Sequence, residues 1–184
     1  MHSCGKRWSA HSGTLSLSLF WWSLPASPDP PNLPCIGWRE WIALPQLSVI
    51  ALKVKVDTGA KTSALGARNI ERFRRGKRDH VRFQVHPLQR RDDIIIPCHA
   101  LLLDERVISD SGGHRESRYV ISTIIQLGPH SWESELTLSD RTTMRFRMLL
   151  GRTALQGRFL VHPGKSYLIG KKPPLPTEWG APHV

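Results

Sequence analysis

Acidic residues are scarce in this 184-residue chain: 15 Asp and Glu stand against 26 Lys and Arg, for a formal charge of +11. That excess admits polyanionic partners but says nothing about fold. Eighteen of the cations are arginine, whose planar fork suits carboxylate and phosphate groups, although a solvated basic surface is the plainer reading. Cysteine is rarer still. Cys4, Cys35 and Cys98 cannot all pair within one chain, no Cys-x-x-Cys occurs, and no His/Cys cluster has zinc-finger spacing. Free thiols point to a reducing compartment and a cytoplasmic location, the periplasm being the alternative if the N-terminal segment is a working signal. Long apolar runs are missing too. Residues 15–24 are interrupted by Ser16, Ser18 and Ser23 and are too short to span a bilayer. A phosphate-cradling loop is absent, since Gly164-Lys165-Ser166 has Phe159 where the pattern needs its first Gly. There is no His-Glu-x-x-His, so no cofactor is expected, neither ATP nor zinc.

What is present is a composition able to fold, with 40% hydrophobic and 22% charged residues. Residues 1–35 differ from the rest: a polar start, a short apolar stretch, then a proline-rich linker that suits neither helix nor central strand. They are expected to be a disordered or artefactual extension. The compact domain is placed at 36–172, followed by a proline-rich tail at 173–184.

Within 36–172 the pattern is mostly β. Residues 38–44 and 49–56 are rich in β-branched and aromatic side chains. Segments 69–74 and 80–86 flank Arg75-Gly76-Lys77-Arg78, a hairpin turn, and Val81, Phe83 and Val85 alternate with polar neighbours to mark one buried face. Residues 94–103 form an apolar run in which Pro97 signals an edge or a bulge. Further strands are expected at 106–109, 119–127 and 132–138, and Met144, Phe146 and Met148 alternate with Arg145 and Arg147. Only 153–156 has helical character, ended by Gly157. Many short strands with frequent turns predict a small all-β barrel or sandwich.

The sharpest chemical feature is Val54-Lys55-Val56-Asp57-Thr58-Gly59-Ala60-Lys61-Thr62-Ser63-Ala64-Leu65. A strand running into Asp-Thr-Gly projects a carboxylate into a cleft. Gly lets the backbone turn and approach that carboxylate, and the Thr hydroxyl can bond across the site. Alone, the tripeptide is an ordinary turn. A second segment, Met148-Leu149-Leu150-Gly151-Arg152-Thr153, and a Gly112-Gly113 turn between strands complete an ordered set.

With Ile36-Gly37-Trp38-Arg39-Glu40-Trp41, His86-Pro87-Leu88-Gln89-Arg90-Arg91 and Asp110-Ser111-Gly112-Gly113-His114-Arg115, these stretches resemble the bacterial retropepsin-like aspartic endopeptidase domain long labelled "ATP-dependent zinc protease", found near ATP-grasp glutamate ligases. The resemblance spans roughly 36–170. It implies a small closed acid-protease barrel with one short C-terminal helix, and peptide hydrolysis by Asp57. Thr58, Gly59, Ala60, Leu150, Gly151 and Arg152 would order the site, and Ser111, Gly112, Gly113 and His114 would form a flap over substrate.

Aspartic proteolysis needs two carboxylates sharing a proton, and this chain has one Asp-Thr-Gly. The resemblance therefore implies a homodimer with one Asp57 from each copy, with contacts around Trp38–Trp41 and 166–169. Its substrate would be a peptide or protein, an acidic tail or a ribosome-associated protein among the candidates. A non-catalytic binding module of the same fold, recognising acidic tails or an RNA-containing assembly, is the alternative. The stretch Arg72-Phe73-Arg74-Arg75-Gly76-Lys77-Arg78 could serve it, or could be a solvated hairpin. Arg90-Arg91-Asp92-Asp93 is expected to pair within itself.

Overall fold

The computed structural model describes residues 32–89, 91–109, 113 and 115–176. The chain enters through β1 (Cys35–Gly37) and turns at Trp38 into β2 (Arg39–Leu44). In β2, Glu40, Ile42 and Leu44 are buried and the intervening residues half-buried, the period of two expected of a strand with one covered face. A 3-10 turn at Pro45–Leu47, closed by Ser48 at φ 58°, reverses the chain. β3 (Val49–Val56) then returns antiparallel to β2, with Leu52, Val54 and Val56 inward and Lys53 and Lys55 on the more open face.

Beyond a loop at 57–62, β4 (Ser63–Gly66) is buried throughout. β5 (Arg68–Arg75) and β6 (Arg78–Val85) form a hairpin about Gly76-Lys77, where Gly76 supplies φ 64°. β7 (Ile96–Leu101) completes a three-stranded sheet in the order β5-β6-β7. Pro97 sits exposed on that outer strand, as a residue without an N–H must. β8 (Asp104–Ser109) and β9 (Arg115–Leu127) form a long hairpin. Gly128 at φ 57° then turns the chain into β10 (His130–Ser139). Last come β11 (Met148–Leu150), the one-turn helix α1 (Arg152–Leu155) and β12 (Leu160–His162), which pairs with β1 in parallel.

The larger sheet runs β10-β4-β11-β3-β2-β9, and β9 pairs back onto β10. Six strands therefore close into a barrel, with β8 carried outside on β9. Closure removes exposed sheet edges. Two of the joints, β10 with β4 and β11 with β3, are parallel. The core is built of Leu44, Leu52, Val54, Ile121, Ile125, Leu136, Met148 and Leu150, all fully enclosed. No described helix is long and apolar enough to cross a membrane.

The expected all-β barrel with one short helix is what forms. The helix spans Arg152–Leu155 rather than 153–156. The apolar run at 94–103 yields a strand only over Ile96–Leu101. The alternation from Met144 to Met148 is misleading: strand begins at Met148, Met144 is 50% exposed, and Arg147 is buried. Residues 142–147 are held by Arg147 itself, whose guanidinium donates to the Arg141 and Thr142 carbonyls, so a charged side chain takes the interior place that the pattern gave to Met144.

Candidate active site

β3 ends at Val56, and the next residue is the one the motif singles out. The Asp57 N–H donates to the Leu150 carbonyl at 2.9 Å, which carries the parallel β3–β11 pairing one step further. The loop then turns back on the carboxylate. Oδ1 accepts from the N–H groups of Gly59 at 3.1 Å and Ala60 at 3.3 Å. Lys55 Nζ lies 3.4 Å from Oδ2, and the Asp57 side chain is 24% exposed. One oxygen is thus fixed by backbone while the other meets the Lys55 ammonium. Gly59 allows this close wrap, since a Cβ there would lie 3.2 Å from Oδ1.

The second motif grips this loop from behind. Arg152 donates its backbone N–H to the Ala60 carbonyl at 2.9 Å, and Thr153 donates to Lys61 at 3.1 Å. Arg152 Nη1 donates to both the Thr58 and Gly59 carbonyls at 2.9 Å. Gly151 has no room for a side chain: a Cβ would lie 2.5 Å from the Thr62 carbonyl group. Its N–H donates instead to Ser63 Oγ at 3.0 Å, and Thr137 Oγ1 donates to the Ser63 carbonyl at 3.0 Å. Asp57, Thr58, Gly59, Ala60, Leu150, Gly151 and Arg152 therefore form one connected unit. Thr58 contributes its carbonyl, and its side chain is exposed.

Of the flap residues, Ser111, Gly112 and His114 lie outside the described residues. Gly113 is exposed at φ 81°, in the segment between the paired strand ends Ser109 and Arg115. The Arg91–Asp93 pair forms at 2.6 Å as expected of neighbours, but Asp92 reaches away, accepting from Arg147 Nη2 at 2.6 Å and facing Arg68 at 3.7 Å. A groove of about 1030 Å³ opens beside these groups, lined by Lys53, Arg91, Arg145, Arg147 and Lys172 against the single acid Asp92. Asp57 is not part of its wall.

Two features escaped the sequence pattern. Glu40 is fully buried and accepts three backbone N–H groups, from Gly37 at 2.6 Å, Leu168 at 2.9 Å and Gly170 at 2.8 Å. Arg141 and Arg147 are also buried. A buried charge cannot be found from periodicity, because its partners are backbone groups distant in sequence. Among the described residues no three His, Cys, Asp or Glu side chains gather at one point.

Residues 35–172 match the family described as "RimB-like: Retropepsin-like aspartic endopeptidase RimB". A "Probable alpha-L-glutamate ligase" of Shewanella pealeana is 46% identical over 78% of this chain, and one of Shewanella halifaxensis is 47% identical over 74%. A protein of the same description from Desulfotalea psychrophila is 42% identical over 74%. The chain spans less than a third of the length of these relatives: 31%, 30% and 29%. A crystal structure of a Legionella pneumophila protein of unknown function has the same fold, with a TM-score of 0.62 and 23% identity over 73% of this chain and 97% of that one. By the match over 35–172, which takes in the barrel and the Asp57 loop, the chain belongs to the RimB-like family of retropepsin-like aspartic endopeptidases.

Proposed function

We propose that this domain hydrolyses peptide bonds as an aspartic endopeptidase, with Asp57 as its catalytic carboxylate and the complete site formed between two copies of the chain. The observation that carries the reading is the connected unit around Asp57, in which Gly59 and Ala60 orient the carboxylate and Arg152 clamps the loop. One ionised Asp57 takes a proton from a water molecule, which attacks the scissile carbonyl carbon. The protonated Asp57 of the other copy donates to the carbonyl oxygen. Collapse of the resulting diol breaks the C–N bond, and the amine leaves with a proton from the dyad. The peptide binds extended, adding as a strand. Ser111, Gly112, Gly113 and His114 serve as its flap. Thr58, Gly59, Ala60, Leu150, Gly151 and Arg152 hold the floor.

The substrate class we propose is an acidic, glutamate-bearing peptide. Two facts support it: the +11 charge of the chain and the glutamate ligase descriptions of its relatives. Hydrolysis rather than ligation is assigned to this chain because it carries the Asp57 loop and no phosphate-cradling motif. Asp57→Asn keeps the shape and removes the acid. Digestion of a peptide library by wild type, beside an inert Asp57→Asn of unchanged fold, is the expected result; equal digestion by both would remove Asp57 from the mechanism.

A second reading, a binding module without catalysis, is favoured by one observation: the cationic groove lies apart from Asp57. It requires tight binding of acidic peptide with no product, weakening steeply as salt rises.

A further inference from the structure

One face of β3 carries a row of charged side chains that leads away from Asp57. Lys53 and Lys55 alternate with the buried Leu52, Val54 and Val56, and Asp57 continues the period, with Oδ2 3.4 Å from Lys55 Nζ. Lys53, at the far end of the row, lines the groove of about 1030 Å³. Four residues of extended chain, at roughly 3.3 Å each, set it about 13 Å from Asp57.

Two ammonium groups are gathered in that groove on a single indole. Lys53 Nζ lies 5.2 Å from the Trp41 ring centroid, and Lys172 Nζ lies 5.9 Å from the same ring. Lys53 also reaches the Tyr167 ring at 5.9 Å, and Tyr167 stacks on Trp41 at 6.5 Å. A ring holds a cation in place without neutralising it. Asp92, the acid on this wall, is engaged elsewhere, by Arg147 at 2.6 Å and Arg68 at 3.7 Å. Arg145 and Arg147 add to the same lining, and Met144, 50% exposed, offers apolar surface to side-chain stems.

The lining discriminates among occupants. A second copy of the chain carries the same +11 charge, and a two-fold contact through the groove would set Lys53 and Lys172 against cations. Single-stranded nucleic acid stacks its bases on open rings, whereas Trp41 is already taken by Tyr167 and two lysines. Carboxylates on an extended peptide meet both conditions. Ammonium groups accept them from several directions, so the groove favours a run of acids over one acid in a fixed pose.

We propose that this groove is a docking site for a run of carboxylates in the substrate peptide, received by Lys53 and Lys172 at least about four residues from the bond that Asp57 cuts. This rests on the peptidase reading for the occupant being substrate, and deepens it by naming the residues that select an acidic stretch.

The test uses the full chain. Binding of fluorescent octaglutamate and octaglutamine is measured in the Asp57→Asn background, with a single-stranded RNA of equal charge as competitor. Octaglutamate is expected to bind at least roughly tenfold tighter than octaglutamine, and Lys53→Gln/Lys172→Gln to remove most of that preference. Lys77→Gln/Arg78→Gln, an equal loss of charge on the distant β5–β6 hairpin, should leave it in place. An equal fall in both variants would make the binding diffuse and overturn the site. Should the double variant fail to fold, the exposed Lys172→Gln decides, since an unchanged preference there overturns the assignment. Tighter binding of the RNA through the same two lysines overturns the ligand class, and loss of self-association in the double variant without loss of peptide binding makes the groove a contact between copies instead. In wild-type hydrolysis, a Glu pair four or more residues from the cleaved bond should lower KM and leave kcat unchanged; an effect confined to positions beside that bond contradicts the docking site. The two proposals fail separately. Lysine-dependent binding in a protein that cleaves nothing refutes the peptidase and keeps the groove, and cleavage indifferent to distant Glu does the reverse.

Discussion

Gly151 and Cys98 are small residues whose surroundings leave them little freedom. At Gly151 the backbone of Thr62 and Ser63 passes where a Cβ would stand, and backbone cannot swing aside as a flexible side chain can. Gly151→Ala is expected to lower stability by roughly 1–3 kcal/mol and to loosen the clamp on Asp57. Thermal melting checks the first effect and peptidase rate the second; a variant with unchanged Tm would mean that β4 can move to make room. Cys98 lies within the core, with Sγ–H aimed at the Leu47 carbonyl at 3.4 Å. Burial pushes its thiol from the ordinary 9.0 up to about 12. The folded state thus favours the neutral thiol. That contribution is intact below pH 9 and is lost as pH rises from there toward 12. In a Cys4→Ser/Cys35→Ser variant, Cys98 should resist a thiol reagent at pH 8 until denaturant is added. Rapid labelling of the native protein would contradict the enclosed position.

At the scale of elements, Glu40 fastens the region that closes the fold. It joins the end of β1 and the Leu168–Gly170 backbone to β2. Glu40→Ala would leave three amides without their acceptor, so a loss above about 3 kcal/mol is expected, with faster hydrogen exchange at Gly37, Leu168 and Gly170. Glu40→Gln keeps part of the acceptor and should fall between. Exchange at those three amides that matches the wild type would show that the segment is held by its other contacts. The legibility of these elements follows from their environment. β3 and β6 have one covered face, so alternation such as Val81-Arg82-Phe83 is written in the residues. β4 is enclosed on both faces and only four residues long, and β1 and β12 have three residues each; none is long enough to display a period. The 142–147 stretch carries a strand-like pattern but is ruled by the buried Arg147, whose partners are carbonyls and an aspartate 55 positions away. The Asp57 loop and the Gly151-Arg152 segment were legible because each needs specific residue types at fixed spacing. Glu40 and Arg141 follow no such pattern.

For the whole molecule, the question is where the second carboxylate comes from. Asp57 directly follows β3, and among the described residues the partners of its carboxylate are two amides and a lysine rather than an acid. Under the proposed peptidase reading the second carboxylate comes from another copy of the chain, and the isologous arrangement that brings identical residues together lies on a two-fold axis. Activity is then expected to fall faster than enzyme concentration on dilution below the dimer dissociation constant; a rate strictly proportional to concentration at every dilution would oppose it. The most direct test mixes wild type with Asp57→Asn at fixed total concentration, with time for exchange of subunits. If each site needs an Asp57 from both copies, an equal mixture retains about one quarter of the wild-type rate, because only one dimer in four has two acids. Retention of about one half would mean that each chain carries a complete site of its own, and would contradict the shared dyad.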